Sequence, residues 1–179
     1  MKTHRPYELQ EYNPKWKEQF LNTAERLRPI LGDNLLGIEH IGSTSIEGMV
    51  AKPQIDILVI VKNLALVKER YEDFKTAGFV PRGTEYVGTD DEYVTEDAPD
   101  GRRIASIHVF QEGHQEIDEC RIFRDYLRVN KEDRELYIST KRDLYALYRE
   151  NYVGYDSGKK DIVNKIKVRA KKRAATLTK

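Results

Sequence analysis

Ile38-Glu39-His40-Ile41-Gly42-Ser43-Thr44-Ser45, followed after a short loop by Ile55-Asp56-Ile57-Leu58-Val59-Ile60-Val61, is the stretch that decides the fold. The second segment is β-branched and almost wholly apolar, which predicts a strand inside a sheet and covered on both faces. The first predicts a strand, Leu35 to Ile41, that runs directly into a glycine and three hydroxyl residues. Because the connection is too short to hold a crossover helix, the two strands should be neighbours. The Gly42 turn and Asp56 should therefore open to the same cleft.

Apolar periodicity and turn residues predict the other elements along the chain. They are a helix from Asn13-Pro14 to Gly32, a helix from Leu64 to Thr76, a strand from Phe79 to Val87, a hairpin turn at Asp100-Gly101, a strand from Arg102 to Phe110, and helices from about Glu116 onward, with Asn130 as a cap, Gly154 as a break and a last helix from about Ser157. Strands and helices alternate first and helices dominate later, so the predicted fold class is α+β, a small mixed sheet packed with helices. We divide the chain into an α/β core, residues 1–115, and a helical C-terminal subdomain, residues 116–179, within one compact unit.

The composition excludes several classes of protein. The chain has 179 residues, and its 31 Lys and Arg nearly balance 30 Asp and Glu, for a formal net charge of +1. That balance argues against a uniformly basic nucleic-acid coat protein and against an acidic solvating tail. The single cysteine, Cys120, excludes an intramolecular disulfide and a cysteine-based zinc site. The longest apolar run, Ile57 to Val61, is far shorter than the ~18 residues of a membrane span, so we expect a cytoplasmic domain without a membrane partner.

The turn Gly42-Ser43-Thr44-Ser45 is a candidate anion site. Glycine lets a phosphate approach the backbone, consecutive N–H groups form a nest, and the hydroxyls add donors. Lys52, in the following loop, is a candidate point charge for the same phosphate. The alternative is an ordinary polar turn whose hydroxyls bond to their own backbone.

Asp56 and His108 are the candidate chemical groups beside that turn. A carboxylate at the head of a buried strand is costly unless it binds a cation or accepts hydrogen bonds. Placed next to an anion-binding turn, Asp56 completes the layout for a metal-bound triphosphate. His108 shares a strand face with Ser106 and Phe110, where a histidine is more often part of the core than a ligand. His108 becomes a candidate site residue if that strand face also meets Asp56.

Basic side chains of the C-terminal part are candidate phosphate ligands. Arg124 and Arg128 are four residues apart, so they share a helix face, although ion pairs with Asp125 are an equally simple explanation. The segment from Lys159 to Lys179 is strongly basic. It suits either a solvated helix face or contact with nucleic-acid phosphates.

Several blocks in order give the chain its resemblance to a known family. They are Tyr12-Asn13-Pro14-Lys15-Trp16, then Ile38 to Ser45, then Gly48, Ala51-Lys52-Pro53 and Ile55-Asp56-Ile57, then Phe123-Arg124-Asp125-Tyr126-Leu127-Arg128, and then Tyr155 with Lys159 and Val163. The pattern resembles the GrpB family, which is classed with the nucleotidyltransferase superfamily of the polymerase-β type. The resemblance implies a nucleotidyltransferase-like mixed sheet and a helical part that covers it.

The resemblance also implies roles for individual residues. Gly42 and Ser43 correspond to the turn that holds nucleotide phosphates, and Asp56 to the first carboxylate of a magnesium-binding Asp-x-Asp/Glu pair. The second position of that pair is Leu58 here, so we expect Glu39 as a substitute metal ligand. His108 takes the place of a third carboxylate. The basic residues that the superfamily directs from its late helices toward the cleft correspond to Arg124, Arg128, Lys141 and Lys159.

Three functions remain open at this point. The first is binding of a nucleotide or another phosphorylated small molecule in the cleft, with magnesium as cofactor and nucleotidyl transfer as the reaction. The second is a non-catalytic nucleotide-binding or regulatory module, because one carboxylate cannot clamp two magnesium ions. The third is association with nucleic acid through the basic C-terminal helix. The sequence names neither the substrate nor the oligomeric state.

Overall fold

A computed structural model describes residues 7–84 and 91–177 of the chain. Its elements are α1 (Lys15–Leu31), β1 (Leu35–Ile41), β2 (Ile55–Val61), α2 (Ala65–Lys68), α3 (Tyr71–Thr76), β3 (Val80–Gly83), β4 (Glu92–Asp97), β5 (Arg103–Gln111), α4 (Gln115–Val129), α5 (Lys131–Leu147), α6 (Tyr152–Gly158) and α7 (Lys160–Leu177). The predicted α+β class is confirmed. α4 begins at the boundary where we placed the helical part, whose standing as a separate subdomain stays a prediction.

The five strands form one mixed sheet in the order β1-β2-β5-β4-β3. β1 runs antiparallel to β2, and Ile41 lies opposite Asp56. β2 is parallel to β5, while β3 and β4 complete the sheet with antiparallel pairing. The predicted neighbourhood of the first two strands is therefore confirmed, and the Gly42 turn comes directly beside the head of β2.

The two faces of the sheet have different partners. On one face, β2 and β5 pack their branched apolar side chains against α1, in a core that contains Trp16 and Leu27. On the other face, Leu58 joins a smaller apolar cluster with Ile117 of α4. The helices after α4 bury a third cluster of their own, around Tyr126. Asp56, at the head of β2, lines a cavity between the sheet and these helices.

Most of the predicted turn and cap residues are confirmed. Asn130 accepts a hydrogen bond from the backbone N–H of Asp133 at 2.9 Å, as a helix cap does. Gly32 ends α1 with a φ of 49°, and Asp100-Gly101 turns between β4 and β5.

Three of the predicted boundaries differ from the structure. The helix expected from Leu64 to Thr76 is two short helices, α2 and α3, because Arg70 N–H bonds to Val67 O in a tight turn between them. β3 ends at Gly83, and residues 85–87 of the strand predicted there lie outside the described residues. Gly154 does not break a helix: α5 ends at Leu147, and Gly154 lies inside α6.

His40 should make the fold sensitive to acid. Its ring stacks on Phe20 with centroids 5.0 Å apart, and its Nε2 lies 2.9 Å from Thr44 Oγ1. Burial, assisted by the charges of Arg128 and Arg124, lowers the pKa of His40 to about 4. Since an unfolded histidine titrates near ~6.5, the unfolded chain binds more protons between these values, and stability is lost as pH falls through that window.

We therefore expect His40→Gln, which keeps a donor for Thr44, to flatten the pH dependence of unfolding in this window. Urea unfolding of both proteins between neutral pH and pH ~4 measures the effect. If the free energy of unfolding of the two proteins changed equally with pH, the assignment of this acid sensitivity to His40 would be contradicted.

Candidate functional site

A cavity of about 580 Å³ opens between the sheet and the C-terminal helices. The predicted site residues that line it are Gly42, Ser43, Thr44, Lys52, Asp56, His108 and Lys159. They come from the Gly42 turn, the loop before β2, β2 and β5 themselves, and the junction of α6 and α7. The structure thus brings together most of the residues that the sequence singled out, while their chemical roles stay predictions.

The Gly42 turn is shaped by Asp56. Gly42 has a φ of 68°, and a Cβ built on it would lie 2.9 Å from Asp56 Cβ and still closer to the carboxylate. Real Cβ atoms do not approach other atoms so closely, so glycine is required here both for its conformation and for space. The carboxylate can lie against the turn only because residue 42 has no side chain.

The hydroxyls of the turn have separate partners. Ser45 donates to Gly42 O at 2.7 Å and does not line the cavity. Thr44 bonds with His40 behind the turn. Ser43 Oγ accepts a hydrogen bond from Lys141 Nζ at 2.8 Å. The polar-turn alternative therefore describes Ser45, while Gly42, Ser43 and Thr44 line the cavity and stay the predicted anion site.

Lys141 of α5 is the most unusual side chain of the cavity, with 2% of its surface exposed. Besides Ser43, its ammonium donates to Val50 O at 2.6 Å and lies 4.2 Å from the centroid of the Tyr137 ring. All three partners are uncharged, and within residues 7–84 and 91–177 no carboxylate forms an ion pair with it. Burial lowers the pKa of Lys141 well below its ordinary value, and the nearby Lys159 adds to this effect.

Asp56 is the carboxylate at the head of β2. Burial raises its pKa above the ordinary value, while His108, Lys52 and Lys159 act in the opposite direction. In the sheet register, Ser106 is its neighbour on β5, and His108 stands next to Leu58 two residues further along. His108 Nδ1 lies 3.2 Å from Asp91 Oδ2, and Asp91 also lines the cavity. The strand face predicted for His108 therefore does meet the face of Asp56.

Besides Lys141, the lysines that line the cavity are Lys52, Lys159 and Lys167. Lys52 Nζ donates to the Tyr152 hydroxyl at 3.0 Å. Lys159 Nζ forms an ion pair with Asp156 Oδ1 at 3.0 Å. Although burial opposes the charge of Lys159, Tyr137, Asp156 and Tyr155 outweigh it and raise the pKa of Lys159 above its ordinary value.

Besides Ser45, three predicted ligands lie away from the cavity lining. Glu39 stands opposite Leu58 rather than Asp56. There it accepts hydrogen bonds from Arg121 Nε at 2.8 Å and Arg124 Nη1 at 2.9 Å. Arg128 donates to Ser45 O at 3.0 Å and pairs with Asp125. These three side chains form ion pairs and do not line the cavity, so the assignments of Glu39 to a metal and of Arg124 and Arg128 to phosphates stay predictions without support from the cavity lining.

The basic face of α7 is partly neutralised within the chain. Lys167 and Lys171 pair with Glu119, at 3.0 and 2.7 Å, and Arg169 pairs with Asp133. These carboxylates hold α7 against α4 and α5. The charge run that suggested contact with nucleic acid thus has a structural role over part of its length.

The family resemblance implied that Lys141 is directed toward the cleft, and the structure places it in the cavity lining. Its contacts with Ser43 and Val50 could not be read from the sequence. Asp91 acquires its place only in the structure. Asp91 belongs to an acidic stretch of ordinary appearance. Its contact with His108 depends on the pairing of β4 with β5.

Comparison with known proteins gives a clear family assignment. The family model described as GrpB protein matches residues 6–169. The chain belongs to the GrpB family. A UPF0157 protein of Halalkalibacterium halodurans is 38% identical over 162 residues, which are 90% of this chain and 81% of that protein. The crystal structure of the conserved protein GrpB from Enterococcus faecalis has a TM-score of 0.87 at 33% identity, covering 93% of this chain and 99% of that chain.

The GrpB fold also resembles that of a nucleotidyltransferase. The MgGTP-bound crystal structure of the Cid1 poly(U) polymerase has a TM-score of 0.55 at 14% identity, over 83% of this chain and 50% of that one. At this identity the likeness shows the fold alone. The nucleotidyltransferase-like architecture expected from the sequence is confirmed. Separately, none of the helices described for this chain is long and apolar enough to cross a membrane.

The residues of this GrpB cleft do not fit the two-metal centre that the fold implies. Asp56 has Ile41 and Ser106 as register neighbours, and neither is a metal-binding carboxylate. Leu58, at the position of the second carboxylate, is fully buried in an apolar cluster that includes Ile117. Among the residues that the structure describes, no group of three His, Cys, Asp or Glu side chains is arranged to hold a metal. A single magnesium ion at Asp56 stays a prediction.

Because Gly42 contacts Asp56, substitution of Gly42 should destabilise the fold more than the same substitution of Gly48. Gly48 also has a positive φ, of 76°, but a Cβ there would meet nothing within 4 Å. Gly48→Ala should therefore cost only the strain of the left-handed region, ~1–2 kcal/mol. Gly42→Ala should cost clearly more, since Asp56 or the turn must also move. Urea unfolding of both variants measures the difference, and equal losses would disprove the packing constraint.

Proposed function

We propose that the GrpB cleft binds a nucleotide or another small molecule that carries a phosphate chain, with a phosphate held between Lys141 and the Gly42 turn. One observation carries the proposal: an ammonium with 2% exposure lines a cavity, and both of its hydrogen-bond acceptors are uncharged. A buried charge is stable only when it is paired and hydrogen-bonded. A phosphate oxygen supplies the missing counter-charge.

The immediate partners of Lys141 suit an anion, because Ser43 adds a hydroxyl beside the ammonium. The wider lining of the cavity is mixed in charge: it contains Lys52, Lys159 and Lys167 together with Asp56, Asp91, Glu116, Glu119 and Asp156. Charge-assisted hydrogen bonds to phosphate are about twice as strong as neutral ones. The cavity volume of about 580 Å³ falls within the range of small-molecule sites.

The likeness to Cid1 favours a nucleotide within this class. One crystal structure of that enzyme is described as MgGTP bound and another as a complex with the UTP analog UMPNPP. Those descriptions concern Cid1, and the base preferred by this GrpB protein is part of what the experiment must find. We place the protein in the cytoplasm, where such nucleotides occur.

The binding proposal is tested with Lys141→Met, which removes the charge and keeps most of the side-chain volume. A thermal-shift screen over the four ribonucleoside triphosphates and coenzyme A precursors selects the ligand, and calorimetry then measures its affinity. We expect the variant to lose about tenfold or more in affinity, because a charge-assisted bond contributes ~1.5–3 kcal/mol.

Lys165→Met is the matched control, since it makes the same change at an exposed position of α7. The fold of Lys141→Met should persist, because the buried ammonium that it removes is itself costly. Equal affinity of Lys141→Met, Lys165→Met and the unchanged protein for every compound would refute the phosphate site.

Nucleotidyl transfer is a second candidate function, which the nucleotidyltransferase-like fold favours and Leu58 opposes. We expect transfer to be slow or absent when magnesium and a nucleotide are supplied. Any residual transfer should vanish in Asp56→Asn, which is nearly isosteric and leaves the fold intact. Radiolabelled nucleotide consumption and the melting temperature are measured on the same samples. Robust magnesium-dependent turnover that survives Asp56→Asn would show that the reacting centre lies elsewhere.

A further inference from the structure

The charged side chains that line the cavity are of both signs, and several of them pair with one another. Lys159 forms an ion pair with Asp156 at 3.0 Å. Lys167 forms one with Glu119 at 3.0 Å and also lies 3.9 Å from Glu116. The charges of these five side chains are therefore compensated within the chain.

Asp91 and Lys52 also have partners in the chain. Asp91 is fully buried, and its Oδ2 lies 3.2 Å from His108 Nδ1. Lys52 Nζ donates to the Tyr152 hydroxyl at 3.0 Å. Because both residues already have partners, neither is assigned to a ligand.

Two opposite charges of the lining remain without an ion pair. Lys141 has only uncharged partners, and Gln54 is the side-chain hydrogen-bond partner of Asp56. Within residues 7–84 and 91–177, neither charge has an oppositely charged side chain at ion-pair distance. The charge of Asp56 favours that of Lys141, but burial outweighs it and keeps the pKa of Lys141 well below the ordinary value. The two groups thus attract each other without forming a pair.

Both charges lie beside the same turn. Lys141 Nζ donates to Ser43 Oγ at 2.8 Å, and the Asp56 carboxylate lies against Gly42. Gly42 and Ser43 are consecutive residues, and consecutive Cα atoms are ~3.8 Å apart. A ligand that meets both charges must therefore carry its own opposite charges close together.

A phosphate alone would satisfy only one of the two groups. At Lys141 it supplies the missing negative charge, but Asp56 repels it, since like charges repel strongly where water is excluded. An ammonium group on the same ligand reverses that interaction and donates charge-assisted hydrogen bonds to the carboxylate. An ammonium can be bound by one carboxylate, whereas the described residues provide no group of three side chains for a metal ion.

We propose that the cleft binds a phosphorylated amine, a small molecule whose phosphate meets Lys141 and the Gly42 turn and whose ammonium group meets Asp56. The inference rests on the proposed function and narrows its ligand to one chemical class. Because the two binding groups flank consecutive residues, the amine and the phosphate ester belong on neighbouring carbon atoms of the ligand. Ethanolamine phosphate and the phosphate esters of amino sugars have this arrangement.

The first test uses pairs of compounds that differ in the amine. Calorimetry of the full chain compares ethanolamine phosphate with ethyl phosphate, and UDP-glucosamine with UDP-glucose. All titrations contain EDTA, so that no metal ion takes the place of the ammonium. We expect the amine-bearing member of at least one pair to bind about tenfold more tightly, because it adds a charge-assisted contact.

Equal affinity within both pairs would overturn the amine site and leave the phosphate site of the proposed function standing. Binding of none of the four compounds would also overturn it. The screen of ribonucleoside triphosphates and the Lys141→Met variant then decide the proposed function separately.

The second test assigns the preference for the amine to Asp56. In Asp56→Asn the two members of each pair should bind equally, because the carboxylate that distinguishes them is gone. Asp33→Asn is the matched control, since it makes the same change at an exposed position between α1 and β1, and it should keep the preference. A preference that persists in Asp56→Asn would overturn the assignment. Melting temperatures are measured on the same samples, and if Asp56→Asn does not fold, the compound pairs on the unchanged protein still decide.

Discussion

The close approach of Asp56 to Gly42 is the constraint on which the cleft depends. The carboxylate lies where a Cβ of residue 42 would otherwise be, so the end of β1 and the head of β2 are fixed relative to each other. That fixed corner orients Ser43 toward α5, where Lys141 meets it. A change of one methyl group at residue 42 would therefore disturb the sheet edge, the turn and the placement of the buried lysine together.

The burial of Lys141 shows that the fold accommodates a buried basic side chain at a cost in stability. The segment between β1 and β2 and the helix α5 shield its ammonium from water. The partners of the ammonium are a hydroxyl, a carbonyl and an aromatic ring. An apolar side chain of similar volume would serve the fold as well or better. The packing of the helical part onto the loop around Ile46 and Met49 supplies the stability that tolerates this charge.

The local sequence pattern was enough to predict how β1, the Gly42 turn and β2 meet. It was not enough to predict which side chains of the C-terminal helices face the cavity. A short loop forces β1 and β2 together, and strand alternation puts His108 and Ser106 on one face, so those placements followed from chain geometry. Helix periodicity shows which residues share a face but not what that face meets. The family resemblance directed both Arg124 and Lys141 toward the cleft. The packing of α5 brings Lys141 to Ser43, whereas Arg124 meets Glu39.

The same helix packing accounts for what this GrpB protein shares with nucleotidyltransferases and what it does not. Residues 56 and 58 lie on one face of β2, so both positions of a carboxylate pair would point toward the helical part. Ile117 of α4 packs on Leu58 at the second position, whereas Asp56 at the first position lines the cavity together with Glu116 and Cys120 of the same helix. A carboxylate in the apolar cluster would be costly, while one in the polar lining of the cavity has cations nearby. The overall fold is thus kept, although the second position of the carboxylate pair belongs to the apolar core.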